Sequence, residues 1–173
     1  MAKIIESLID YMLAARQAKL PIEVIQKGKS HLLDSLAAIV SGSTLKAGKL
    51  GLHHVQRQSG TADSTVLGSN IKTTPVLAAF ANGMSAHADE TDDSNSQLHP
   101  GCAIVPAALA IAESQTRGGE ALLRAVILGY DIGFRFHQAF EPRSTSFGAT
   151  FGAAAAAGTL VELTNLQLRY LIS

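Results

Sequence analysis

Apolar residues recur at helical spacing through nearly all of this 173-residue chain, and only one stretch breaks the pattern. Ile4, Ile5, Leu8, Ile9, Met12 and Leu13 fall on one helical face, opposite Glu6, Asp10 and Arg16. Pro21 then suits the first turn of a second helix, which carries Leu32, Leu33, Leu36, Ile39 and Val40 and ends at Gly42. A more polar third helix covers 45–58. The exception is STVLGSNIKTT, about residues 64–73, which reads as a short hairpin turning at Gly68-Ser69-Asn70. Thr74-Pro75 supplies a cap and first turn for the next helix. Pro100 or Gly101 opens another, with Pro106 near enough to its start to be accommodated or to kink it. A long helix follows over 120–140, broken by Glu141-Pro142. The expected fold class is therefore mainly α, a multi-helix bundle with one short β-hairpin, in a single domain over 1–173.

The segment FGATFGAAAAAGTL narrows the packing further. Gly148, Gly152 and the alanines Ala153 to Ala157 give a smooth helix that neighbours can approach closely, so it is expected to be buried on most sides. The last helix, from Asn165, carries Leu166, Leu168, Leu171 and Ile172 with nothing after them to pack against. On that reading the chain is an incomplete piece of a larger domain.

Composition excludes several functions. Charged residues are 16% and the formal net charge is zero, so no basic surface for nucleic acid is available. The single cysteine, Cys102, rules out an internal disulfide and a cysteine-held iron–sulfur cluster within one chain. No signal-peptide pattern or membrane-length apolar run is seen, and a cytoplasmic location is the expectation.

The chemistry concentrates in AHADETDDSNSQLHPGCAIVP, residues 86–106. Asp89, Glu90, Asp92 and Asp93 lie within five positions, between His87 and His99. Carboxylates this close repel one another, and a cation, a shared proton or solvent must relieve the cost. The run lacks the alternate-residue spacing and central glycine of a calcium loop, and no metal is expected. A histidine beside carboxylates is suited to proton exchange near neutral pH. Arg143, Lys72 and the backbone N–H groups near Gly101 and Ser146 are candidates for receiving substrate carboxylates. A solvated loop without chemistry remains the plain alternative. Cys102 follows a helix start and His99, as a nucleophile would, but its apolar helix favours packing. His31 and Asp34 share a helical face and fit either a surface ion pair or a satisfied core histidine. His53 and His54 are neighbours pointing about 100° apart, and are read as surface residues.

The segments NGMSAHADETDDSNSQLHPGCAIVPAALAIAE and FGATFGAAAAAGTL resemble the MmgE/PrpD family, through the motif A-H-A-x-[DE]-x-D-D-[ST], then H-P-[GS] and a P-A-x-L-A helix. This family includes 2-methylcitrate dehydratase, cis-aconitate decarboxylase and iminodisuccinate epimerase. The resemblance implies an all-helical domain with a small hairpin, paired in full-length members with an α+β lid, and the active site between them. It also implies a small di- or tricarboxylate substrate, no cofactor, and a homodimer. Carried over by position, the catalytic acidic residue is Glu90, the hydroxyl residue Ser94 and the loop histidine His99. Asp92 and Asp93 take the paired aspartates, and His87 the preceding histidine. Arg143 stands where many members have histidine, and the lid and a later lysine lie beyond this stretch. The expectation is a lyase in which His99 transfers protons, Glu90 and Asp93 position it or share the proton, Ser94 bonds the substrate and Arg143 binds a carboxylate. A helical module without catalysis, dimerising through its apolar surface, is the alternative.

Overall fold

Helix boundaries fall where the sequence places its breakers. The structure is a computed structural model that describes residues 2–58, 60–95, 97–140 and 146–173. Among these, α1 (Ala2–Ala15), α2 (Ile22–Gly42) and α3 (Lys46–Gln56) precede a two-stranded antiparallel hairpin, β1 (Ser64–Thr65) and β2 (Lys72–Thr73). Then come α4 (Pro75–Ala86), α5 (Gly101–Ser114), α6 (Gly119–Ala139), α7 (Phe147–Leu160) and α8 (Asn165–Ile172). Thr74 caps α4 by accepting from the Leu77 N–H, with Pro75 just inside the helix. Pro21 sits one position before α2 begins, as its N-cap. Helix α5 continues through the buried Pro106, so the proline is accommodated near its start. In the hairpin Ser64 pairs with Thr73 and Thr65 with Lys72, and Gly68 takes φ +75° in the turn.

The glycine and alanine run does what its smoothness suggests. Helix α7 lies against α6 so closely that a Cβ on Gly152 would stand 2.5 Å from the Gly129 carbonyl oxygen, and one on Gly148 2.3 Å from that of Gly133. Side chains any larger would push the two backbones apart. Ile104 from α5 fills the space beside this contact, fully buried.

Three apolar clusters share the interior. One joins α5, α6 and α7 around Ile104, Val105, Val126 and Leu160. A second gathers Ile9, Met12, Leu128, Ile132, Leu168 and Ile172 from α1, α6 and α8. The third seats the hairpin and α3 on α4 through Val55, Val66, Ala78 and Ala81. The last helix is thus better covered than its sequence suggests: Leu168 and Ile172 are buried against α1, while Leu166 and Leu171 are exposed. Ile4, Leu33 and Val40 are also exposed, although their spacing assigns them to apolar faces. No helix among the described residues is long and apolar enough to cross a membrane.

The bundle leaves the 87–100 segment between the end of α4 and the start of α5. His87 is the C-cap of α4, its N–H bonded to the Gly83 carbonyl. At the other end, Asn95 and Leu98 exchange two backbone hydrogen bonds, and the Leu98 and Pro100 side chains are buried. The intervening acidic residues are therefore held from both sides.

Candidate active site

The structure relieves the carboxylate crowding by sending the four groups in different directions. Asp89 accepts from the Thr91 hydroxyl at 2.8 Å, and Glu90 is exposed to solvent. Asp92 turns inward to His87 and His99, whereas Asp93 turns to helices α2, α5 and α6.

Asp92 is the buried member, its side chain fully out of solvent. Its Oδ1 lies 2.9 Å from His87 Nδ1, in hydrogen-bond geometry. Its Oδ2 faces His99 Nδ1 at 3.4 Å, within ion-pair range but not aligned as a hydrogen bond. Both of those atoms are buried and make no aligned hydrogen bond, although the Cys102 thiol lies close to the Asp92 carboxylate. The two imidazoles stand edge to face with centroids 5.0 Å apart. A carboxylate only accepts, so the hydrogen bond between His87 and Asp92 places that ring's proton on Nδ1 and leaves its Nε2 for another partner. An unsatisfied buried oxygen costs about 1–3 kcal/mol, and such a loss in a native structure calls for a functional reason.

The same three residues are the donors among the described residues that come together as a metal site would require. Their ligand atoms lie within 4.8 Å of one another. Two imidazoles and a carboxylate suit zinc or iron as well as a proton, so the expectation of no metal is open to direct test.

Glu90 has a separate peculiarity, a backbone φ of 56°. Thr116 and Glu162 share that left-handed conformation. They follow α5 and α7, however, where Arg117 N–H to Ala112 O and Leu163 N–H to Gly158 O close ordinary helix ends. Glu90 ends no helix. Left-handed backbone in a non-glycine residue costs about 1–3 kcal/mol and concentrates at functional segments.

Asp93 is held in another way. Its Oδ1 accepts from the Gly101 N–H at 3.1 Å, and the Tyr130 hydroxyl donates to its two oxygens at 3.1 and 2.9 Å. His31 Nδ1 lies 2.6 Å from Oδ2. Two expectations change accordingly. The Gly101 N–H is already occupied by Asp93 and does not wait for a substrate carboxylate. His31 pairs with Asp93, not with Asp34, which is exposed on α2. The carboxylate that faces His99 is Asp92, while the partners of Asp93 lie on α2, α5 and α6.

Ser94 is exposed in the loop. Lys72 is exposed on the hairpin, whose partner strand is fastened to α5 by Ser64 to Ala110 and by Thr65 to Glu113. Those anchors lie nine and twelve residues past Gly101, about 14–18 Å along the helix at 1.5 Å per residue. Lys72 is therefore not among the residues gathered at the loop. Arg143 lies outside the described residues.

This arrangement can be set beside known proteins. Residues 6–173 match the MmgE/PrpD N-terminal domain. The chain belongs to the MmgE/PrpD family. It is 32% identical to human cis-aconitate decarboxylase over 160 residues, which cover 84% of this chain and 33% of that protein. It is 28% identical over 174 residues to the cis-aconitate decarboxylase-like protein oryM of Aspergillus oryzae, covering 92% of this chain and 36% of that protein. Cis-aconitate decarboxylase of Mus musculus is 28% identical over 84% of this chain and 33% of its own length. The chain thus spans about a third of the length of the curated relatives it matches.

Within this MmgE/PrpD domain Cys102 is a packing residue. Its thiol donates to the His99 carbonyl at 3.3 Å. Burial first, and then the nearby Asp92 carboxylate, push its pKa up to about 12. The thiolate that a nucleophile needs is disfavoured there, despite the helix start. His53 and His54 are exposed, in keeping with their reading as surface residues.

Tyr130, on the long helix, holds Asp93 and is not among the candidates drawn from the sequence. The available signal was a tyrosine on an apolar helix face, whose hydroxyl needs a partner when buried. Burial, followed by the Asp93 carboxylate, raises its pKa further, so the hydroxyl remains a donor.

Proposed function

We propose that this domain carries the proton-transfer part of an MmgE/PrpD lyase acting on a small di- or tricarboxylic acid. The carrying observation is the fully buried Asp92 carboxylate facing His87 and His99, with one oxygen and one ring nitrogen left without a hydrogen bond. In this reading Asp92 keeps the His99 ring proton on Nδ1, which leaves Nε2 to take and return a proton. His99 Nε2 then exchanges a proton with a substrate carbon next to a carboxylate. Glu90, in its strained exposed position, is the second acid–base group, and Ser94 offers a hydroxyl to the substrate.

Two outcomes share this step. In a dehydration such as that of 2-methylcitrate, the base takes the carbon-bound proton and the C–O electron pair leaves with the hydroxyl, protonated to water. In a decarboxylation, the C–C bond breaks, carbon dioxide leaves, and the electron pair left on carbon takes the proton from the imidazolium. The names of the relatives favour decarboxylation of a cis-aconitate-type acid. Arg143 would receive a substrate carboxylate, and a homodimer is the proposed assembly.

The test is deuterium incorporation from D2O into cis-aconitate and 2-methylcitrate, followed by proton NMR, in the chain and in His99→Gln. A positioned general acid–base is worth about 10²–10⁴-fold. His99→Gln should lose that factor, and a variant exchanging at the original rate would remove His99 from the chemistry. A second reading is an inactive helical module that dimerises through exposed apolar residues such as Leu166 and Leu171. A chain inert toward both acids that sediments as a dimer would favour that module.

A further inference from the structure

We propose that His31 and Tyr130 are positioning residues for the proton-transfer site. By holding Asp93 from α2 and α6, they fix the adjacent Asp92 between His87 and His99 without touching the substrate. The proposal takes its functional meaning from the proton chemistry above, but it can be tested without turnover.

The geometry requires such a clamp. Asp92 and Asp93 are consecutive, so any rotation of the backbone between them moves both carboxylates. Asp92 is held by the His87 bond, with the misaligned His99 contact and the Cys102 thiol beside it. Asp93 is gripped by groups from three other elements: His31 from α2, the Gly101 N–H from α5 and Tyr130 from α6. The His31 and Tyr130 rings also pack on one another, with centroids 4.9 Å apart. On the Gly101 side the carboxylate has no free space. A Cβ on Gly101 would lie 2.4 Å from both Asp93 Oδ1 and Ser35 Oγ, and 2.9 Å from the Tyr130 hydroxyl. One side of the clamp opens to solvent, because His31 is 28% exposed and lines, with Tyr130, a groove of about 460 Å³ between α2 and α6. His31 can therefore be replaced without opening the core.

Ligand side chains that act at a site need supporting groups to hold them to about half an ångström. Here that support is a neighbouring residue's carboxylate, held by side chains distant in sequence. His31→Ala removes one holder. Tyr130→Phe removes the hydroxyl and keeps the ring. His31→Asn returns a donor near the position of Nδ1.

The experiment is NMR on the intact chain, reading the imidazole nitrogens of His87 and His99 and the hydrogen exchange of the Gly101 amide. Loss of one net hydrogen bond's worth of restraint should speed Gly101 exchange about tenfold in His31→Ala and Tyr130→Phe. The His87 and His99 resonances should move in the same variants, although neither histidine touches the substituted residue. His31→Asn should restore both. If Gly101 responds while His87 and His99 keep their original resonances, the clamp is local and the proposal fails. It also fails if His31→Asn behaves as His31→Ala. Should Tyr130→Phe not fold, the two His31 variants decide the matter. Absence of turnover in the wild type would leave all these readings intact, so failure of the proposed activity is distinguishable from failure of the clamp.

Discussion

Asp92 and Asp93 are neighbours in sequence and opposites in structure. Asp92 is fully buried, yet one of its oxygens faces His99 Nδ1 without a hydrogen bond. Asp93 is less buried, yet an amide, a hydroxyl and an imidazole converge on it. A carboxylate placed for stability is expected to look like Asp93, with its oxygens occupied. One placed for chemistry is expected to look like Asp92, holding geometry in reserve for a group that is not yet present. The pair shows how one short loop can divide structural and chemical work between adjacent residues.

The strongest way to break this comparison is to neutralise each carboxylate in turn and follow proton exchange. Asp92→Asn gives His99 an amide N–H where it had an acceptor, so the ring proton shifts to Nε2 and the base is lost. Deuterium incorporation should fall about 10²–10⁴-fold. Asp93→Asn should reduce it less, because the loss acts through the position of Asp92. Equal losses in the two variants would erase the distinction.

The next effect is on stability. Gly101→Ala inserts a methyl group where Asp93, Ser35 and Tyr130 converge. Overpacking of this kind costs about 1–3 kcal/mol, read as a lower denaturant midpoint. An unchanged midpoint would show that the Asp93 cluster has slack.

Smaller again is the alkaline behaviour of Cys102. Its folded pKa, about 12, lies above that of an unfolded thiol. Between those two values the unfolded chain has lost the thiol proton and the folded chain keeps it, so stability falls as pH rises. Cys102→Ala should flatten the pH dependence of the unfolding midpoint above about pH 8.5. Alkylation of the folded chain should also be slower than that of a free thiol. Rapid alkylation at neutral pH would contradict the packing role.

The least effect is expected from metal removal. If the Asp92 pair holds a proton, EDTA should leave isotope exchange unchanged. Loss of exchange with recovery on zinc addition would assign His87, Asp92 and His99 to a metal instead.

Much of the scaffold could be read directly from residue order. Thr74-Pro75, the Gly68 turn and Gly42 mark boundaries through backbone preferences that act locally, and the structure follows them. The Gly148 to Ala157 run encodes close packing because only small side chains permit it. The loop could be located as well, since its charges and histidines are adjacent in the chain. What local sequence could not reveal was the direction in which each carboxylate turns. That depends on Tyr130, 37 residues from Asp93, and on His31 in another helix. The Asp92 and Asp93 side chains are chemically identical, so only their tertiary surroundings tell them apart. Ile4 and Leu33 show the same limit, because helical period identifies a face but not which turns of it are covered.

The most direct test of the division of labour is the unfolding free energy of Asp92→Asn and Asp93→Asn, measured side by side in denaturant. Asp93→Asn disturbs a carboxylate held by an imidazole, a hydroxyl and an amide, and should lose about 1–3 kcal/mol. Asp92→Asn keeps the shape and an acceptor for His87, removes a charge whose Oδ2 has no hydrogen bond, and should lose less than Asp93→Asn. A larger loss in Asp92→Asn than in Asp93→Asn would contradict the account.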